Sequence, residues 1–165
     1  MTQRMIISLA AALAMTLSVT AQASSSLSSS QLQDVVYLAE IASVRHLAQS
    51  GNPQAQFILG NRYFKGDSAY RLPQSYDDAM GWYLKSARQG HTGAAYNLGV
   101  MSLKAKGMPR DLIEALAWFK IAAHGGHGNS KKLIAELESL LGDEHIQAAE
   151  ALTVELVPQR ILAAR

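Results

Sequence analysis

Cysteine is absent from all 165 residues of the sequence, and neither sign of charge is in marked excess. The first absence excludes disulfides, thiol nucleophiles, cysteine-ligated zinc and a lipid anchor on cysteine. Lys and Arg number 15 against 13 Asp and Glu. This balance gives no electrostatic basis for binding nucleic acid or an anionic membrane. We therefore expect a domain that is stabilised by its apolar core and that binds a partner other than nucleic acid.

Long apolar runs are lacking beyond the N-terminus. Residues 1–23 combine a basic start, a mainly apolar middle and small residues at the end, which is typical of a secretory signal peptide. The apolar middle is shorter than the roughly 20 residues that a membrane-spanning helix needs. We predict cleavage between Ala23 and Ser24, and a periplasmic or secreted protein without a stable membrane anchor.

The rest of the chain divides by composition into three segments. Residues 24–31 are rich in Ser and are predicted to form a flexible lead-in. Residues 32–158 carry the pattern of one folded helical domain, which is an ordinary length for a single core. Residues 159–165 are predicted to be a short C-terminal tail.

One stretch of the sequence occurs twice. AMGWYLKSARQG (79–90) aligns without a gap with ALAWFKIAAHGG (115–126), and each copy contains one of the two Trp residues. Upstream, GNPQAQFILG (51–60) aligns with GHTGAAYNLG (90–99), and more faintly with residues 126–135. The period of 36 to 39 residues indicates a stacked helical solenoid.

Each copy has the pattern of two helices, because its apolar residues follow a period of 3.6. Asn52 before Pro53 predicts a helix start, and Ser75 and Asp111 are predicted caps of the second helices. Gly60 and Gly99 lie inside helices, where each costs about 1 kcal/mol relative to Ala, so we expect a neighbouring helix to approach closely there. The residues predicted to carry the repeat packing are Ala55, Leu59, Gly60, Tyr63, Ala79, Trp82, Ala87, Gly90, Ala94, Leu98, Gly99, Asp111, Ala115, Trp118, Ala123 and Gly126.

The segments that flank the two copies are also predicted to be helical. Residues 32–51 resemble the second half of a unit, and residues 130–142 and 143–158 form a final helical pair, the second helix being capped by Asp143. No useful stretch alternates with period two, so no strands are predicted. The predicted fold is all-α: an α/α superhelical solenoid of antiparallel helix pairs, with two full repeats, a capping half-repeat and a C-terminal helical pair.

This pattern resembles the Sel1-like repeat (SLR) family, a branch of the tetratricopeptide-type solenoids. The resemblance rests on AQFILGNRYFKG with DDAMGWYLKSARQG, and on AAYNLG with AKGMPRDLIEALAWFKIAAHGG, and it covers roughly residues 40–157. The sequence departs from the family pattern at Ser75, at Ser102 in place of Tyr, and at Ala105 in place of the first Gly. The resemblance implies a non-enzymatic adaptor, without a cofactor, whose first helices line a concave groove.

Transferring the repeat frame onto this chain gives a predicted groove for a protein or peptide partner. Aromatic rings supply contact area in such grooves, and amides fix the orientation of the bound chain. An alternative is that the rings of Phe57, Phe64 and Tyr96 pack between helices. The predicted groove residues are Gln54, Phe57, Asn61, Phe64, Tyr96, Val100, Lys104 and Lys131.

Two other motifs are interpreted as structural. HGGH (124–127) has two His at a spacing that can share a metal, but a site needs three or four ligands, so no metal is predicted. His127 also occupies the same repeat position as His91 and Asn52, which suits a polar turn residue. GDSA (66–69) superficially resembles a hydrolase nucleophile block, but it lies in a predicted loop, and the later DEH (143–145) has the wrong spacing for that family.

These observations favour a scaffold that binds a protein or peptide in its groove. A narrower alternative is an immunity protein that neutralises an exported antibacterial effector, since small exported members of the family include such proteins. A third alternative, from another functional class, is a cell-envelope enzyme acting on peptidoglycan or β-lactams. For this alternative the sequence supplies no catalytic constellation.

Overall fold

A computed structural model describes residues 28–68 and 72–157, and these residues form seven α-helices and no strand. The chain divides after Ile41 into two compact units, and both repeats lie in the second unit. Within the described ranges, no helix combines the length and apolar character needed to cross a membrane. The helices are α1 (Ser29–Gln49), α2 (Pro53–Lys65), α3 (Tyr76–Ala87), α4 (Thr92–Lys104), α5 (Leu112–His124), α6 (Ser130–Leu140) and α7 (Asp143–Leu156).

The predicted all-α solenoid is confirmed. Helices α2 and α3 form the first repeat, α4 and α5 the second, and α6 and α7 pack on α5 as the C-terminal pair. The predicted signal peptide with its cleavage site, and the tail 159–165, lie outside the described residues. Helix α1 begins at Ser29, so residues 29–31 of the predicted lead-in are helical.

The predicted helix starts are confirmed by their hydrogen bonds. Asn52 Oδ1 accepts from the backbone N–H of Ala55 at 2.9 Å, directly before Pro53 at the start of α2. Ser75 and Asp111 cap α3 and α5 in the same way, accepting backbone N–H groups of their first turns at 2.8 to 3.2 Å. Each cap satisfies donors that a helix terminus otherwise leaves unpaired.

The start of α7 corrects one prediction. Gly142 occupies the N-cap position, and Asp143 is the first helical residue. Glycine has no side chain with which to cap, and Asp143 in the first turn places its acidic side chain in the favourable field of the helix N-terminus.

The glycines inside helices mark close ring contacts, as predicted. A Cβ atom on Gly60 would lie 2.6 Å from the ring of Tyr83, and one on Gly99 would lie 2.7 Å from the ring of Phe119. Tyr83 and Phe119 occupy the same position in the two repeats, and both are fully buried. Within each repeat, therefore, a large ring on the second helix fills the space that a glycine leaves on the first.

The two Trp residues have different surroundings. Trp118 on α5 is fully buried, and its Nε1 donates a hydrogen bond to Glu114 Oε1 at 3.2 Å. Trp82 on α3 is half-buried, and the Lys85 ammonium lies 4.3 Å from its ring centre. The repeat pattern predicts the same role for both Trp residues and therefore overstates the burial of Trp82.

The turns after the helices use the left-handed region. Gly90 and Gly126, which follow the ends of α3 and α5, have φ of +90° and +95°. Ala105 also has a positive φ, +53°, at the end of α4, and it is the only such non-glycine residue among those described. The departure from the family pattern at this position therefore places a Cβ where glycine is favoured.

Candidate partner-binding surface

Three polar side chains meet where the two repeats join. Asn61 Oδ1, on α2, accepts a hydrogen bond from Tyr83 Oη at 2.8 Å and another from Asn97 Nδ2 at 3.0 Å. Tyr83 lies on α3 and Asn97 on α4, so one amide oxygen connects three helices. This network fixes the positions of both amide groups.

The network leaves one donor group and one acceptor unused. Among the described residues, neither Asn61 Nδ2 nor Asn97 Oδ1 has a hydrogen-bond partner, and both side chains are half-buried. Because both residues are only partly buried, part of each is accessible to solvent. The joined amides therefore offer N–H donors and a C=O acceptor side by side, held by the same hydrogen bond.

Burial raises the pKa of Tyr83 to about 12, and hydrogen bonding to the Asn97 amide opposes this rise more weakly. The phenol therefore stays neutral at physiological pH and keeps its proton for Asn61. Its role is to orient the amide, since a phenol that holds its proton so strongly is a poor base or nucleophile at neutral pH.

The predicted aromatic groove residues are half-buried and make ring contacts inside the stack. Phe57 stacks on His91 with ring centres 4.4 Å apart, and Tyr96 stacks on His127 at 4.3 Å. Phe64 packs against Tyr76 at 5.3 Å. These contacts agree with the alternative that the rings pack between elements, although part of each ring stays exposed.

The remaining predicted groove residues are dispersed. Gln54 is exposed, and its Oε1 lies 2.8 Å from His91 Nε2. Val100 is half-buried and packs against the core of the second repeat and the C-terminal pair. Lys104 and Lys131 are exposed on α4 and α6. Of the eight predicted residues, only Asn61 takes part in the amide network.

Asn97 belongs to the surface but not to the predicted set. It stands where the first repeat has Ile58, so an amide replaces an apolar residue in an otherwise matching frame. This difference between Ile58 in the first repeat and Asn97 in the second is the signal in the sequence that identifies Asn97. Its contact with Asn61 depends on how the two repeats rotate against each other, which the repeat pattern does not specify.

The surroundings of the HGGH (124–127) and GDSA (66–69) motifs fit a structural role. His127 Nδ1 lies 3.2 Å from Ser130 Oγ, and His124 Nε2 is buried and has no hydrogen-bond partner among the described residues. In the described part of the chain, no three His, Asp or Glu side chains are grouped closely enough to hold a metal. Ser68 of the GDSA motif is exposed beside Asp67, whose carboxylate lies 3.7 Å from the Arg62 guanidinium.

A family model for the Sel1 repeat matches residues 53–91 and 92–127. The chain contains two Sel1 repeats. The matched ranges correspond to α2 with α3 and to α4 with α5, so the repeat boundaries and the helix pairs coincide. Sel1 repeats are generally protein-interaction scaffolds, and the typical fold is not catalytic.

Two solved structures share this Sel1-repeat fold. A protective antigen present in uropathogenic Escherichia coli strains aligns over 75% of this chain with a TM-score of 0.66 and 27% identity. A Sel1 repeat protein from Oxalobacter formigenes aligns over 58% with a TM-score of 0.53 and 33% identity. In each case the chain spans only 27% of the other protein's length.

A curated relative is the chitin synthase regulator SKT5 of Malassezia restricta. It is 31% identical to this chain over 114 residues, which make up 69% of this chain and 8% of the regulator. The chain therefore matches one small part of that protein.

Proposed function

We propose that this protein is a non-enzymatic scaffold that binds an extended segment of a partner protein across the Asn61–Asn97 amide pair. The observation that carries the proposal is the unused donor and acceptor on two amides that are already fixed by hydrogen bonds. A peptide group presents one C=O and one N–H, which complement Asn61 Nδ2 and Asn97 Oδ1. Because the amides are held in place, little conformational entropy is lost when they bind.

Other residues of the predicted groove support the same reading. Phe57, Phe64 and Tyr96 are only half-buried, so their exposed portions can add apolar contact area for a bound chain. Lys104, exposed at the end of α4, suits an acidic group in the partner. The similarity to a protein named as a regulator of an enzyme also supports a role that acts through a partner.

The substitution Asn61→Asp tests the proposal with little disturbance of the fold. A carboxylate still accepts from Tyr83 and Asn97, but it lacks the N–H donors that we assign to the partner. Asn129→Asp is the matched control, because it adds the same charge at an exposed residue before α6. Capture from an extract of the source cells is expected to recover a protein with the wild type and the control, and to lose it with Asn61→Asp. Equal recovery by all three proteins contradicts the proposal.

We further propose that the chain is exported and cleaved before it acts. The support is the signal-like pattern of residues 1–23. Mass spectrometry of the protein from native cells is expected to find a chain that begins at Ser24. An intact N-terminus in the mature protein refutes export by cleavage between Ala23 and Ser24.

The immunity hypothesis is a narrower form of the scaffold proposal, in which the partner is an exported toxin. It predicts that deleting the gene sensitises cells to the toxin and that Asn61→Asp fails to restore protection. Normal survival of the deletion strain under toxin challenge removes this form and leaves the general scaffold proposal in place.

A further inference from the structure

His91 makes a hydrogen bond at each of its ring nitrogens, and the one at Nδ1 requires the neutral ring. Its Nδ1 accepts from the backbone N–H of Ala94 at 3.2 Å, so it caps α4 and carries no proton. Its Nε2 therefore carries the proton and donates to Gln54 Oε1 on α2 at 2.8 Å. The ring also stacks on Phe57 of α2. One neutral imidazole thus connects the first helices of the two repeats.

The first repeat performs the same capping without a titratable group. Asn52 stands at the equivalent position and caps α2 through its amide oxygen at 2.9 Å. A histidine is therefore not required to start the helix. His91 differs from Asn52 in that a single proton can abolish its ability to accept a hydrogen bond at Nδ1.

The contacts of His91 that the structure describes include no carboxylate. On α2 they are Gln54, whose Oε1 accepts from Nε2–H in either charge state, and the neutral ring of Phe57. His91 also borders a small cavity between α3, α4 and α5, and among the described residues that line it there is no carboxylate and His124 is the one other titratable side chain. The other residues that line this cavity are Ala87, Gly90, Thr92, Ala95, Ile121 and Gly125.

Protonation of His91 has two unfavourable consequences. An Nδ1–H group faces the Ala94 N–H instead of accepting from it, so the side-chain cap is lost. A positive charge is placed at the N-terminus of α4, where the helix dipole is also positive.

We propose that His91 is a proton-operated latch between the two repeats: at neutral pH its ring joins α2 to the first turn of α4, and in acid it loses its hydrogen bond to that turn. Loss of this hydrogen bond loosens the junction that also carries the Asn61–Asn97 hydrogen bond. The latch itself does not depend on the proposed binding function. A loss of partner binding in acid is an additional consequence that rests on that function.

The direction of the effect follows from linkage. Burial lowers the pKa of His91 below its usual value of 6.5, and a backbone hydrogen bond opposes this more weakly. The unfolded chain therefore binds the proton more readily than the folded one. The stabilisation by neutral His91 is complete above about pH 6.5 and is lost as the pH falls from there towards the lower folded-state pKa.

The variant His91→Asn tests the latch, because it copies the cap of the first repeat and removes the titration. Urea unfolding of the purified protein is measured by circular dichroism at pH 7.5 and 5.5, with His127→Asn as the control. Between these pH values the folding equilibrium constant of the wild type is expected to fall by up to about tenfold more than that of His91→Asn. Equal pH dependence of the wild type and His91→Asn overturns the proposal.

A second measurement needs no variant. In a nuclear magnetic resonance titration, the backbone amide of Ala94 is expected to shift with the same midpoint as the His91 ring, below pH 6.5. The amide of Ala55, which Asn52 caps, serves as the internal control and is expected to stay unchanged. An Ala94 amide that does not follow the His91 ring contradicts the latch. This experiment requires no partner, so its failure is separate from a failure of the scaffold proposal.

Discussion

Gly99 on α4 packs closely against the ring of Phe119 on α5. A methyl group at position 99 would lie 2.7, 2.8 and 3.0 Å from three ring carbons. Carbon atoms in contact normally lie about 3.5–4.0 Å apart, so either the ring or the helix must move by nearly 1 Å. Phe119 is fully buried and cannot swing into solvent. The substitution Gly99→Ala therefore overpacks the second repeat.

Two opposing terms set the size of the effect. Overpacking a buried core costs about 1–3 kcal/mol, and the rigid ring argues for the upper end of that range. Replacing a helical Gly by Ala contributes about 1 kcal/mol in the opposite direction. We expect Gly99→Ala to lower the free energy of unfolding by about 2 kcal/mol, and Gly60→Ala to behave similarly because its added Cβ meets Tyr83 at 2.6 Å.

Gly81 supplies the matched control. It lies within α3, and a Cβ added there meets no atom within 4 Å. Only the propensity term applies, so Gly81→Ala is expected to raise the free energy of unfolding by up to about 1 kcal/mol. Urea unfolding followed by circular dichroism at 222 nm measures all three variants. If Gly99→Ala is as stable as Gly81→Ala, the close approach of the ring is not what requires glycine.

Three further substitutions test other parts of the fold. Ala105→Gly is expected to stabilise the protein by about 1 kcal/mol in the same urea assay, because it removes a Cβ from a residue with φ of +53°; a loss of stability contradicts this reading of the turn. Trp118→Ala is expected to cost about 3–5 kcal/mol, since the side chain is fully buried, whereas Trp82→Ala is expected to cost less than half as much. Equal costs for the two Trp variants contradict the difference in burial.

The helix pairs were predictable because their signals are local. The apolar period, the capping side chains of Asn52 and Asp111, and the repeat length each specify a feature within a few turns of chain. The glycines at 60 and 99 were also predictable as contact points, because a helical Gly requires a compensating reason.

The surface was predictable only in part, because it depends on the relative rotation of the two repeats. The repeat frame does not identify Asn97 as a surface residue, because the first repeat has an apolar residue at the equivalent position. Phe57 and Tyr96 were identified as groove residues, but the frame does not reveal that His91 and His127 stack on them. These stacks mean that replacing Phe57 and Tyr96 by Glu disturbs the junctions themselves, so Asn61→Asp is the cleaner test of binding.

The central claim is that the Asn61–Asn97 pair binds the main chain of a partner. Its most direct test is the dissociation constant of the captured partner, measured by calorimetry. The wild type, Asn61→Asp and Asn129→Asp are compared under conditions in which the three proteins are equally stable. Leaving a partner carbonyl unpaired costs about 1–3 kcal/mol, so Asn61→Asp is expected to weaken binding by about 5- to 150-fold, and Asn129→Asp to leave it unchanged. An Asn61→Asp variant that binds as tightly as the wild type contradicts the claim.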